Sequence, residues 1–405
     1  YEKSLLSFTA VLDAEFPTEN ELLGATRGQQ DMLNDILRVM AITFDYQGDW
    51  EDIDVFYQGL GGRHYEHLVY ETLASQYYNK KYYKSGASTL RAFVKRYPND
   101  VLAPDFYQRI ITGYEKAGYS TLLRKHKKIF VNTYGVEGMY WNLHGLAVRE
   151  TIKPVLADYI WDLARFNHAW GQRIKKKSEK NARLQDAIDW YSEYIRSFPN
   201  ANDTAKAHFL LAEVAYQMRQ YPLAKDHYEI DAYQYPKYEK ASEAGYAAIL
   251  TYSKHKPLKS DKAIWRQLTV ASAMRFSQEF PLDSRRGQVL VNTAEMLLTD
   301  KYYEQALMTA KLAESAEGEL SVRHEYGAAL VSGHAAFYLE KYELAETSIV
   351  DALQYNKIKP KVRKKVCINK LNHKLLAKQK KNKLINTAII SSIFLTVGLI
   401  SFVAG

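Results

Sequence analysis

Eleven histidines, one glycine cluster and several acidic doublets are the residues of this 405-residue chain that invite chemistry. Histidine holds a metal when it comes as HExxH or beside cysteines, and neither arrangement occurs. His64 and His67 stand close together without partner carboxylates, which reads as a solvated helix face. GLGGR (59–63) lacks the lysine and the strand-to-helix setting of a phosphate loop, so it reads as a turn. No GxSxG is present, and Glu51–Asp52 sits at a charged helix start, where carboxylates favour the positive end of the dipole. Asn202-Asp203-Thr204 matches a glycosylation sequon no better than chance would. Cys367 is the sole cysteine, so one chain can build neither a disulfide framework nor a cysteine-based zinc site. The expectation is a protein with no catalytic residues, no metal, no cofactor and no small-molecule substrate.

Charge looks like a second lead, with a formal net of +9. It is concentrated at one end: residues 356–383 hold 12 Lys or Arg and no acid, and 384–405 hold no charge at all. The body, 1–355, keeps 43 basic residues against 46 acidic ones, so it exerts no overall pull on phosphate and no nucleic-acid partner is expected. Two local basic runs, LLRKHKKIF (122–130) and RIKKKSEK (173–180), read as solvated faces or as contacts for acidic partners or RNA. The chain opens at Tyr1 rather than Met, which reads as a fragment or a processed product.

What must position these residues is a repeat. FVKRYPND (93–100) returns as YIRSFPNAND (194–203), DAYQYPKYEK (231–240) and SQEFPLDS (277–284). Upstream of the first copy, Tyr70, Leu73, Ala74 and Tyr77 are spaced for one helix, and Gly86, Leu90 and Phe93 for a second that Pro98 stops. Two antiparallel helices approach most closely at small residues, here Ala74 and Gly86, while large residues fill the space on either side. Leu211, Ala212, Ala224, Tyr228 and Pro236 repeat the pattern, as do Leu290, Ala294, Ala306 and Ala310, and later Gly333, Ala336, Ala345 and Ile349. Weaker copies occupy 104–135, 151–199 (with a polar insert at 174–183) and 237–281 (with a lengthened turn at 254–262). QQDMLNDILRVMAITFDYQ and WEDIDVFYQGLGG precede them as an end-capping pair within 1–62.

These motifs resemble the tetratricopeptide repeat (TPR) family over about 64–355, and the aromatic-Pro-x-Asp exit is similar to its bacterial cell-envelope subgroup. The resemblance implies an all-α, right-handed solenoid of about seven stacked helix pairs over 63–355, with a concave face that binds peptide segments or neighbouring proteins and does no catalysis. By repeat position, the first helices would line that groove with Glu71, Ser75, Tyr78 and Asn79. The equivalents are Phe209, Glu213, Tyr216 and Gln217, then Leu330, His334, Phe337 and Tyr338. Packing between adjacent repeats is the competing role for the same aromatics.

The tail extends the reading. Residues 384–404 are 21 residues without a charge, long enough as a helix to cross the roughly 30 Å hydrocarbon core. Val362, Val366, Ile368, Leu371 and Leu375 give the preceding basic stretch, 356–383, an amphipathic pattern suited to anionic headgroups. The expectation is a membrane-associated protein-interaction scaffold in a bacterial envelope assembly. The basic flank argues for the cytoplasmic face and the repeat subgroup for the periplasmic one. The alternative is a soluble periplasmic accessory subunit of an enzyme or export complex, with 361–380 and 386–400 forming one more helix pair.

Overall fold

The computed structural model describes residues 1–48, 50–316 and 320–354. Every regular element among them is helical. Their contacts divide the chain into two compact units, one spanning 1–204 and the other beginning at 205.

The first unit opens with α1 (Glu2–Glu15), α2 (Glu19–Leu23), α3 (Arg27–Gln47) and α4 (Trp50–Gly59). The pairs α5 (Glu66–Asn79) with α6 (Tyr83–Arg96) and α7 (Ala103–Lys116) with α8 (Ser120–Tyr134) follow. After the single turn α9 (Met139–Leu143) comes the long pair α10 (Leu146–Arg173) and α11 (Lys177–Ser197). α6 packs on α7 and α8 on α10, so each pair leans on its neighbours in sequence. The second unit holds four pairs: α12 (Thr204–Gln217) with α13 (Tyr221–Gln234), α14 (Ala241–Lys254) with α15 (Lys262–Glu279), α16 (Arg286–Thr299) with α17 (Tyr303–Glu314), and α18 (Val322–Tyr338) with α19 (Tyr342–Gln354). The expected seven helix pairs are therefore all present among the described residues. The apolar segment 384–404 lies outside them, and no described helix is long and apolar enough to cross a membrane.

Each quoted exit motif ends a second helix in one way. Tyr97, Phe198, Tyr235 and Phe280 leave the helix with φ between −135° and −121°, and a proline follows each. A residue before proline is pushed out of the α region, so the ring turns back onto its own helix while the proline bars another turn. Phe16, ahead of Pro17, closes α1 with the same geometry, so α1 ends as the second helices do.

Five first helices end in one turn type. Tyr82 N–H bonds Tyr77 O at 2.7 Å while Lys81 N–H bonds Tyr78 O at 3.0 Å, a Schellman pair that reuses two orphan carbonyls. Gly118, Arg219, Lys301 and Glu340 hold the place of Lys81, all with φ between 61° and 71°. Only Gly118 takes that left-handed conformation without steric penalty.

The seams behave as small residues require. A Cβ on Gly86 would stand 2.6 Å from the Tyr78 ring, and one on Gly113, in the next pair, 2.8 Å from it. In the first unit the space beside the seams is filled by rings: Tyr70 on Phe93, Phe93 on Phe106, Phe130 on Tyr134 and Tyr159. Tyr70, Tyr134 and Tyr159 have their structural use here. In the second unit the last two pairs close on alanines instead, with Ala294, Ala306, Ala310, Ala335, Ala336 and Ala345 in one cluster.

The polar insert is the main departure from the expected layout. Residues 177–183 are not a loop but the first two turns of α11. KSEKNAR holds no glycine or proline, Lys176 pairs with Glu179 at 2.7 Å, and Leu184 is buried against Gly171 of α10. By contrast, residues 255–261 do lengthen the turn between α14 and α15.

The left-handed turns yield a stability prediction. Lys301→Gly is expected to stabilise the chain by about 0.5–1 kcal/mol, and Gly118→Ala to destabilise it by about 1 kcal/mol. Urea midpoints followed by far-UV circular dichroism measure both, and a Lys301→Gly midpoint below the parent's contradicts the assigned turn.

Candidate protein-binding surface

The twelve expected groove residues fall into three depths. Asn79, Gln217 and Tyr338 are the final residues of α5, α12 and α18, and all three are exposed. Phe209 and His334 are buried, at 5% and 6% exposure. Glu71, Ser75, Tyr78, Glu213, Tyr216, Leu330 and Phe337 lie between these extremes.

Most of the intermediate group is engaged by neighbouring helices. Arg109, on α7, pairs with Glu71 and donates from Nη2 to Ser75 Oγ at 2.9 Å. Tyr78 donates its hydroxyl to Arg109 O at 3.2 Å, with its ring between Gly86 and Gly113. Three residues read as groove are thus joined to one arginine of the next pair, a residue the sequence reading missed. Burial pushes the Tyr78 hydroxyl well above the usual phenol range, with Arg109 opposing, so it stays a donor.

The second trio is similar. Phe209 packs edge-on to Tyr228, with Lys240 Nζ 4.7 Å above its ring centre. Glu213 accepts from the Tyr228 hydroxyl, and Tyr216 meets Tyr221 at the start of α13. In the last pair Leu330 packs on a cluster of Ala329, Ile349 and Ala352, and Phe337 meets Tyr342. Tyr338 stacks on Tyr303 of the preceding pair at 4.4 Å and 10°. The ring that opens a second helix therefore plugs the next pair, as its place in TDKYYEQA suggests.

The first basic run packs on the helix that leads into the second. α8 packs on α10, and the Arg124 guanidinium lies 4.1 Å over the Phe166 ring. Phe166 stacks on Trp170 at 6.0 Å, one turn before Arg173 opens the second run. The first run is not uniformly solvated, however. His126 is buried against the Tyr107 hydroxyl at 2.9 Å, and Lys127 pairs with Asp162 over the Tyr159 ring. Burial brings His126 down to about 4, so it stays neutral. His64 and His67 do not form a solvated helix face: His64 stands half-buried in the turn before α5, and His67 Nδ1 lies 2.9 Å from its carbonyl oxygen. GLGGR is a turn, with Gly61 and Gly62 at φ 76° and 84°. Arg63, held by Asp13 at 2.8 Å, ties that turn to α1.

One group of titratable residues sits where the α5–α6 and α7–α8 pairs bury rings. Asp231 holds the place of Phe93 and Phe130, His208 that of Tyr70 and Tyr107, and His227 that of His126. His208 and His227 share a hydrogen bond between their Nδ1 atoms at 2.8 Å. Burial brings His208 down to about 4 and lowers His227 too, while Asp231, fully buried, is raised to about 7 by desolvation. Neither Asp231 oxygen has a hydrogen-bond partner among the described residues.

No family model matches the chain, and no curated protein matches it. Solved structures similar to it include a tetratricopeptide repeat protein from Parabacteroides merdae ATCC 43184, at 11% identity over 74% of this chain and 96% of that one, with a TM-score of 0.25. The TPR domain of P58(IPK) is 13% identical over 78% of this chain and all of that one, with a TM-score of 0.24. Yeast Tom70 is 9% identical over 86% of this chain and 97% of that one, with a TM-score of 0.17. The likeness is to tetratricopeptide repeat proteins, and the repeat itself is visible in this chain's own helix pairs.

The buried carboxyl sets a pH dependence. With its folded value raised to about 7 from 3.8, Asp231 contributes stability that is full below about pH 4 and lost as pH rises through 7. Asp231→Asn removes that loss. The variant is expected to gain on the parent, between pH 4 and 8, on the order of 3 kcal/mol. His208 and His227 act in the opposite sense, so the variant should weaken on acidification below about pH 6.5. Urea midpoints at pH 5 and pH 8 decide it; an identical difference at both pH values would show that Asp231 does not titrate there.

Proposed function

We propose that this chain is a non-enzymatic protein-interaction scaffold that binds peptide segments or partner proteins along its first helices. The supporting observation is the recurrence of one register: Asn79, Gln217 and Tyr338, from three separate pairs, each close a first helix and each stay exposed. A register repeated in this way offers a partner amide hydrogen-bonding groups at the ends of α5 and α12 and an aromatic face at the end of α18. The flanking aromatics and carboxylates, largely engaged by neighbouring helices, act as its rigid backing.

In the same reading the apolar segment 384–404 holds the scaffold at a membrane, in a bacterial envelope assembly. The 12 basic residues of 356–383 add attraction to anionic headgroups.

Two experiments test these readings separately. A photo-crosslinking residue placed at 79, 217 or 338 is expected to capture one and the same partner in cells, while the same probe at exposed Met308 captures none. Equal labelling at all four positions overturns the assigned surface. Alkaline carbonate extraction is expected to leave the full chain in the membrane pellet and release a 1–355 chain. Release of both removes the anchor and favours a further repeat pair in the tail.

A further inference from the structure

The first unit is close to neutral as a whole and strongly polarised along its length. Residues 1–79 hold 14 acidic and 4 basic residues, whereas 80–183 hold 21 basic and 8 acidic. Stacking order keeps them apart: α1 packs on α3, α3 and α4 pack on each other and on α5, and α4 also on α6, while α10 packs on α8 and α11 on α10.

Both ends carry apolar surface among their charges. At the acidic end Leu23, Tyr46 and Val55 are 76%, 75% and 69% exposed. Glu19 stands one helical turn before Leu23, and Glu51 one turn before Val55. At the basic end Trp170 is 46% exposed and stacked on Phe166, with Arg124 over that ring and Lys128 6.0 Å from the Trp190 ring. Lysines at the ends of first helices are explained by the helix dipole alone. Lys125, Lys128 and Arg165 are not at such ends, and none of them has a carboxylate partner among the described residues.

We propose that this chain associates with itself head to tail. The acidic helices α1 to α4 of one copy dock on the basic, aromatic face that α8, α10 and α11 present on another. The occupant is a second copy because both complementary surfaces stand on one chain, with opposite charge of similar size and exposed apolar residues on each. A polyphosphate would instead meet a body, 1–355, with more acidic than basic residues. Arg124, with one guanidinium face on Phe166, keeps its N–H edge for a carboxylate, and Trp170 supplies the apolar contact. Because the two surfaces differ, the contact is heterologous, and it builds a series of sizes unless the rotation closes a ring.

The full-length chain in mild detergent, followed by sedimentation velocity over a concentration series, tests this. At 50 mM NaCl the average mass is expected to climb with concentration, and at 500 mM salt the association should weaken by about tenfold or more, since screening reaches exposed charges first. Arg124→Glu with Arg173→Glu is expected to abolish the climb, as is Glu19→Lys with Asp31→Lys. Mixing the two double variants should restore association as far as a one-to-one pair, because the acidic end kept by one meets the basic face kept by the other. That restoration also shows that both variants fold. A monomer at low salt overturns the proposal, and so does association that neither variant changes, as contact through the apolar tail would give. Two variants that stay dissociated when mixed, despite parent-like circular dichroism, overturn it as well. So does a monomeric chain whose basic face binds polyuridylate or polyglutamate, which would make it a surface for a different polyanion.

Discussion

Two helix backbones come close only where a side chain is missing, and the ring that fills the resulting space cannot be moved without parting the helices. Tyr78 shows this constraint at its tightest. Its ring occupies the volume that a Cβ on Gly86 or Gly113 would claim, so one side chain joins both helices of a pair and the pair that follows. Arg109 completes the joint by holding Glu71 and Ser75 while its carbonyl accepts from Tyr78. With backbone spacing set in this way, the left-handed turns and proline exits follow as the short connections that return the chain to the next seam. Among the twelve expected groove positions, the exposed ones are the last residues of first helices.

The same constraint is met by two chemistries. In the first unit, wide aromatic side chains bridge seams that glycine keeps open, and ring contacts run from Tyr70 through Phe93 to Phe106. In the last pairs of the second unit, alanine faces alanine and Gly333 admits Ile349. Aromatic bridging tolerates variation, because a ring can tilt to recover contact. Alanine packing does not, because each methyl has a fixed place and any larger residue must push the backbones apart. The α12–α13 pair departs from both by placing Asp231 and His208, the latter bonded to His227, where rings pack in α7–α8 and alanine or leucine packs in the last two pairs. A buried, unpartnered carboxyl conflicts with the local rule for that position, and desolvation resolves the conflict by keeping it protonated.

Much of this architecture was legible because its signals are local. Proline after an aromatic marks a helix exit within five residues, and alanine or glycine at a fixed offset marks the seam. α1 was missed although AEFP (14–17) carries the exit signal. α9 was missed because a single turn has no periodicity to read. The surface was legible only at its edges. Asn79, Gln217 and Tyr338 stay exposed at the last positions of their helices. Tyr78 and Phe209 were assigned to the groove by register, but their environments are set by residues of later helices. Arg109 lies 31 positions from Tyr78 and Lys240 comes from the start of the next pair, so nothing within one repeat announces them.

Charge obeys a different logic from packing in such a chain, and here the array form matters most. In a fold built around one centre, residues remote in sequence mix on the surface, and a run of acids in one segment is diluted by bases from another. Pairs that touch mainly their neighbours in sequence prevent that mixing. A compositional drift along the chain therefore becomes a drift across the surface, and the acidic start and basic middle of the first unit remain apart. Local ion pairs such as Lys80 with Asp45 and Arg96 with Asp54 form where the two regions meet, across α3, α4 and the turn and helix that follow α5. Farther from that boundary, neither Arg124 nor Arg173 has a carboxylate partner among the described residues. Electrostatic polarity is thus a direct consequence of stacking order, requiring no side chain to be placed for the purpose.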